Sequence, residues 1–208
     1  MNQIPERITT LIFDLGGVIV DLAPERTLHA FAALSQKPIE EIVRIHTRHA
    51  AFYAYETGKI DAQEFRDAIR TLFELNASDP EIDLCWNAML LGIPPAKLAM
   101  LTALKKHFTT IALSNTNSIH LTYINDVILT GVPLDTYFHH AHYSYQMGMR
   151  KPEQEIYKYV LNAHNLTPEH TLFLDDNIDN INAAAAVGIK ALLIEHPDRV
   201  TELFKDYE

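Results

Sequence analysis

Cysteine is almost absent. Cys85 is the only one in 208 residues, so no disulfide can close within the chain and no Cys-rich zinc module can form. Positive charge is also scarce. Seventeen Lys and Arg face 27 Asp and Glu, a formal net charge of −10. A field of that sign repels polyanions, which argues against a general grip on nucleic acid or an anionic membrane. A local site for one small anion survives, provided a metal or a few cations focus there. No apolar run reaches the length of a membrane span. Met1 to Thr10 is polar and lacks the apolar stretch of a secretory leader. A reducing, cytoplasmic setting is the expectation. Internal repeats, low-complexity stretches and an HExxH pattern are all missing.

What is present reads as a folded core. Hydrophobic residues make up 48% and charged residues 21%, enough apolar surface for one ordinary domain or a core with a modest insertion. The run Ile8 to Phe13 ends at Asp14 and is followed by Gly16-Gly17. That pattern predicts a strand buried on both faces, then a tight turn. Similar runs are Thr109–Leu113 ahead of Ser114-Asn115, Thr171–Leu174 ahead of Asp175-Asp176, and Lys190–Ile194. Helical patterns separate them: Lys97 to Lys106, Glu153 to His164 with Pro152 in its first turn, and Ile178 to Val187 with Gly188 as cap. Strand alternating with helix predicts a doubly wound α/β fold around a parallel sheet.

Between Pro24 and Leu91 no strand-like run occurs. Helices are expected from Pro24 through Leu34, and from Pro38-Ile39 toward Tyr55 with a break at Thr57-Gly58. Others should follow the D-x-x-E cap of Asp61 and Glu64, and run from Asp79-Pro80 through Trp86. The expected organisation is a catalytic core of residues 1–20 and 92–208 with an inserted α-helical cap at 21–91. Phe52, Tyr53 and Trp86 are expected in the cap core, and Met147 and Met149 in packing roles.

Each predicted strand stops at polar residues, the edge where ligands bind in open α/β sheets. Asp14 suits a nucleophile or metal ligand. Ser114 and Asn115 offer a hydroxyl and backbone N–H groups, Lys151 a fixed cation, and Asp175 and Asp176 two carboxylates. Singly, each is an ordinary turn, cap or loop residue.

Taken together, Leu11-Ile12-Phe13-Asp14, Leu113-Ser114-Asn115, Lys151-Pro152 and Phe173-Leu174-Asp175-Asp176-Asn177 resemble the motifs of the haloacid dehalogenase superfamily of hydrolases. The helical insertion sits where members with an α-helical cap carry theirs, and the resemblance spans nearly the whole chain. Phe13 to Asp21, Leu113 to Asn117 with His120, Gly148 to Pro152, Asp175-Asp176-Asn177 with Asp179-Asn180, and Glu56 to Ile60 are similar to the branch containing bacterial α-D-glucose-1-phosphate phosphatase.

The resemblance implies a Mg²⁺-dependent phosphatase of small phosphorylated metabolites, with glucose 1-phosphate as a representative sugar phosphate. Asp14 would form a phosphoaspartate. Asp14, the Gly16 carbonyl and Asp176 would hold Mg²⁺, with Asp175 beside a bound water or orienting the site. Ser114, the N–H of Asn115 and Lys151 would bind phosphoryl oxygens, and Asn180 would hold the acidic loop. One departure stands out. Most phosphatases of the superfamily carry an acid/base Asp two residues after the nucleophile, where this chain has Gly16. Glu56, His120 or His46 would have to substitute, unless the leaving group is acidic enough to need little help, as an anomeric oxygen is.

Two other readings compete: a metal-independent 2-haloacid dehalogenase, and a non-catalytic protein that binds a phosphorylated ligand. The acidic pair opposes the first, and retention of the motif residues opposes the second. His139, His140 and His142, and the pair His46 and His49, are expected as surface or cap-interface groups in preference to a zinc site. Oligomeric state has no sequence signal.

Overall fold

The computed structural model describes residues 7–207. The polar stretch read above for a leader lies mostly outside them. After β1 (Thr10–Phe13) a tight turn leads into β2 (Asp21–Leu22). Five helices follow: α1 (Pro24–Ser35), α2 (Ile39–Arg48), α3 (Ala50–Glu56), α4 (Ala62–Phe73) and α5 (Asp79–Asn87). Then comes β3 (Leu90–Gly92), which pairs antiparallel with β2. The chain continues through α6 (Pro95–Leu104), β4 (Thr109–Ser114), α7 (Ser118–Tyr123), β5 (His140–Tyr143) and the short α8 (Ser144–Met147). It ends with α9 (Gln154–Ala163), β6 (Thr171–Asp175), α10 (Ile178–Ala186), β7 (Lys190–Leu193) and α11 (Arg199–Phe204). No helix among these is long and apolar enough to cross a membrane.

The main sheet has five strands in the order β5-β4-β1-β6-β7, all parallel. Its centre is buried on both faces, as the unbroken apolar runs require. Leu11 and Phe13 of β1 pack into the cluster shared with α6 and α11, whereas Ile12 packs into the one shared with α9 and α10. The doubly wound α/β core with an inserted helical cap is therefore present.

The five cap helices gather around their own apolar cluster, which includes Phe31, Phe52, Tyr55, Phe65, Ile69 and Trp86. Tyr53, expected there, is instead exposed, and its hydroxyl donates to Glu153 at 2.9 Å. The D-x-x-E cap forms as read: Glu64 N–H donates to Asp61, and Asp61 N–H donates to Glu64, both at 2.8 Å. The β2–β3 ribbon is the neck of the insertion, and both expected cap limits fall within it. Lys97, on α6, is buried and pairs with Asp21 there at 2.7 Å.

Three local expectations need correction. The helix expected from Pro38 toward Tyr55 is two helices. His49 is extended between them (φ −90°, ψ 129°), and its Nδ1 accepts from Ala51 N–H at 3.2 Å, so its side chain caps a new helix. Pro152 is not in the first turn of α9. It follows a cis Lys151–Pro152 bond, and Glu153 is the N-cap. β5 has no counterpart in the sequence reading because its residues, His-Ala-His-Tyr, lack an apolar run; as an edge strand it needs one covered face only.

Candidate active site

Parallel strand order places three loops side by side. β1 lies between β4 and β6, with Phe13 in register with Ala112 on one side and Leu174 on the other. Asp14 therefore emerges between Ser114 and Asp175, and all three are buried.

Lys151 joins two of them. Its Nζ lies 2.8 Å from Asp14 Oδ1 and 2.6 Å from Asp175 Oδ2. The ammonium is only 1% exposed, so these carboxylates are its solvent. Burial alone would lower its pKa, but Asp14 and Asp175 outweigh burial and keep it charged. Burial raises the Asp14 carboxyl to about 7, against the pull of Lys151 and with a further push from Asp175 and Asp176. Asp176 is also raised, by burial first and Asp175 second.

The loops that present these groups are tied down. Asn115 uses its side chain on Lys151: Nδ2 donates to the Lys151 carbonyl, and Oδ1 accepts from the Lys151 N–H, both at 2.9 Å. Asn180 donates to both oxygens of Asp175, at 2.9 and 3.1 Å, and Asn177 N–H adds a third donor at 2.8 Å. Ser144 bonds both the N–H and the carbonyl of Thr116, each at 3.0 Å. The Ser114 hydroxyl has no protein partner among the described residues. Since no buried polar side-chain atom among them lacks one, that hydroxyl faces open space.

Asp14, Asp175 and Asp176 each offer an oxygen, and the three lie within 4.8 Å of one another. Among the described residues this is the only such convergence of His, Cys, Asp or Glu side chains. The histidines expected at the surface do not form one: His142 bonds His164 at 2.7 Å, His140 stacks on His164, and His139 bonds Thr110.

A cavity of about 200 Å³ adjoins the cluster. Gly16, Ser114 and Asn115 belong to its wall, and so do Glu56, His46, Trp86 and His120 from the cap side and α7. The cap is pinned around it. Glu56 pairs with Arg150 at 2.9 Å, and the Tyr55 hydroxyl bonds Ser118 at 2.9 Å and accepts from Ile119 N–H at 3.1 Å. Burial raises the Glu56 carboxyl, with Arg150 opposing.

Of the three candidate acids, His120 is lowered by burial to about 3, so its ring is neutral at neutral pH. His46 is lowered by burial as well and packs on Phe52. Glu56 lines the same cavity, and its carboxyl is the one of the three groups that burial raises. Sequence reasoning gave no role to Asn87, Asn117, Ser144 or Arg150. Asn117 and Arg150 stand inside the quoted motifs, a signal that was present; Asn87 and Ser144 carry none.

The profile of haloacid dehalogenase-like hydrolases matches residues 8–188. The chain is 28% identical over 191 residues to D-ribitol-5-phosphate phosphatase of Bacteroides thetaiotaomicron, covering 91% of this chain and 93% of that protein. A crystal structure of a HAD family enzyme from the same organism superposes with a TM-score of 0.90 at 34% identity, covering 96% of this chain and 99% of that one. Another structure of that enzyme is a magnesium complex (TM-score 0.84, 34% identity, 91% and 94% covered). L-2-Haloacid dehalogenase PA0810, at 21% identity and a TM-score of 0.63 over 93% and 87% of the two chains, shares the fold.

Proposed function

The chain belongs to the haloacid dehalogenase-like hydrolases, and within that family we propose that it is a Mg²⁺-dependent phosphatase of small sugar or polyol phosphates, acting through a phosphoaspartate on Asp14. The observation that carries this reading is the arrangement at the strand ends: a buried carboxylate on a buried ammonium, an unpartnered serine hydroxyl, and three converging carboxylate oxygens.

The donor set fits Mg²⁺. Three carboxylates face one ammonium, which leaves the cluster short of positive charge, and hard oxygen ligands are what this ion takes. Asp14, Asp176 and the Gly16 carbonyl would hold it, with Asp175 fixed behind them by Asn180 and Lys151. When bound, the ion supplies the charge that lets a carboxylate approach an anionic phosphoryl group.

The chain's own groups do the rest. Asp14 Oδ1 accepts from Leu15 N–H at 2.7 Å and from Lys151, which leaves Oδ2 to attack phosphorus. The P–O bond to the substrate breaks as the P–O bond to Asp14 forms, and the departing oxygen takes a proton from Glu56 or, when it leaves as a stable anion, from water. Ser114 Oγ–H and Lys151 Nζ donate to the phosphoryl oxygens as their charge grows. Water then cleaves the acyl phosphate, releasing inorganic phosphate and restoring Asp14. The acidic pair beside the nucleophile disfavours haloacid binding, and the dehalogenase likeness is one of fold.

The test is a panel of sugar and polyol phosphates, including glucose 1-phosphate and ribitol 5-phosphate, assayed with and without Mg²⁺. Hydrolysis that needs the ion and vanishes in Asp14→Asn is the expected result. Metal-independent turnover, or full activity in Asp14→Asn, overturns the reading. Gly16→Asp addresses the leaving group. A Cβ there meets only the end of the Leu22 side chain, at 2.7 Å, so the site can admit it by moving Leu22. The restored acid should raise ribitol 5-phosphate hydrolysis by about 10²-fold, the lower end for a positioned acid, and glucose 1-phosphate hydrolysis less. Equal gains would show that leaving-group acidity is not the reason Gly16 is tolerated.

A further inference from the structure

The cavity beside the strand ends has room for the organic part of an ester, and several of its polar side-chain atoms are already held by protein partners. Thr27 Oγ1 donates to the Trp86 carbonyl at 2.9 Å and accepts from Met89 N–H at 3.2 Å. Asn117 Oδ1 accepts from His120 N–H at 3.1 Å and from Trp86 Nε1 at 3.4 Å. Asn115 is locked to Lys151, and Glu56 is paired with Arg150. Much of the remaining wall is apolar: Leu15, Leu22, Leu28 and Leu90.

His120 offers an acceptor whose orientation is fixed. Its Nδ1 lies 2.8 Å from Asn87 Oδ1, and its ring stacks on Trp86 at 4.9 Å and 11°. An amide oxygen only accepts, so Nδ1 carries the proton and Nε2 presents a lone pair. Nε2 has no protein partner among the described residues. No fully buried polar side-chain atom among them lacks one, so Nε2 is not sealed off. His120 is only 8% exposed, and it lines the cavity.

We propose that His120 Nε2 is the specificity-determining acceptor for a hydroxyl on the organic part of the phosphate ester, with Asn87 and Trp86 as the positioning residues that fix its tautomer and ring plane. The proposal takes its substrate class from the phosphatase reading and names the contact that selects within it. A neutral ring is what this role needs, and burial keeps it neutral down to about pH 3. A hydroxyl-free chain would leave that lone pair unmet, and sites built to bond a hydroxyl discriminate on that basis.

The experiment compares ribitol 5-phosphate with pentyl phosphate, a chain of equal length without hydroxyls, on the full-length protein with Mg²⁺. The readout is the ratio of the two kcat/KM values. In His120→Phe the preference for ribitol 5-phosphate should fall about tenfold, the worth of one neutral hydrogen bond. In Asn87→Leu, where the ring stays but its tautomer is released, the ratio should fall in the same direction by less. A ratio unchanged in His120→Phe, or both esters losing the same factor, overturns the assignment, because a purely structural histidine would move both alike. Should His120→Phe not fold, the ratio in Asn87→Leu decides, and an unchanged ratio there overturns the assignment. If the wild-type protein hydrolyses no member of the sugar and polyol phosphate panel, the phosphatase reading fails instead. The same ratio, taken from calorimetric binding constants for wild type and variant, then decides the role of His120.

Discussion

Gly17 sets how closely Asp176 approaches the nucleophile turn. Its φ is +71°, and a Cβ at this position would lie 2.1 Å from Asp176 Oδ2. Gly17→Ala therefore has to displace a proposed metal ligand and strain the backbone by about 1–3 kcal/mol. The Mg²⁺ concentration for half-maximal activity should rise about tenfold or more in a titration of activity against metal. Lys151 offers a second residue-scale prediction. Lys151→Met leaves Asp14 and Asp175 buried without their cation, which should cost about 3–5 kcal/mol in urea unfolding. Adding Asp175→Asn should recover part of that loss. The identity of Lys151 was legible in its motif. That Asn115 spends its amide on the Lys151 backbone was not, because the two are far apart in sequence and meet only through the sheet.

At the scale of elements, the buried strands and the edge strand β7 were legible, and the edge strand β5 was not. β1, β4 and β6 are covered on both faces and so carry unbroken apolar runs, whereas β5 lies at an edge and reads as a loop. The break between α2 and α3 was hidden because no Pro or Gly marks it, and only the extended backbone at His49 separates the helices. That break aims α3 at α7. Tyr55 on α3 stacks on Phe65 inside the cap, at 4.3 Å and 15°, while its hydroxyl reaches across to Ser118 and Ile119. Tyr55→Phe leaves the Ile119 N–H without its partner. Thermal unfolding should show a loss of about 1–3 kcal/mol, and KM should rise because this clasp holds the cap over the cavity.

For the whole molecule, acid sensitivity follows from burying an imidazole at the cap–core junction. His120 has an ordinary value of 6.5 and is held at about 3 in the fold. The unfolded chain therefore takes up a proton between those limits while the native state does not. The stabilisation is complete above pH 6.5 and declines as pH falls toward 3, at up to about 1.4 kcal/mol per pH unit. Melting temperatures of His120→Gln should depend less steeply on pH between 6.5 and 4 than those of the wild type; parallel curves would exclude His120 as a source. The net charge of −10 adds a background repulsion among carboxylates that both proteins share, so the difference between the two curves isolates the histidine.

The order of apolar runs and the polar residues that end them determined the fold class and named Asp14, Ser114, Lys151, Asp175 and Asp176, because burial on both faces and strand termination are local properties of a chain. Strand order was decided only in three dimensions. β1 lies between β4 and β6 through contacts spanning some 100 to 160 positions, and that placement sets a nucleophile between a hydroxyl and a carboxylate. The cavity belongs to the same level. Its wall joins Gly16, Glu56, Trp86, Ser114 and His120, from both the helical insertion and the sheet, and the tautomer of His120 depends on Asn87, 33 positions away. Hydrogen bonds of that reach form only after both layers have packed, so no local pattern in the sequence encodes them.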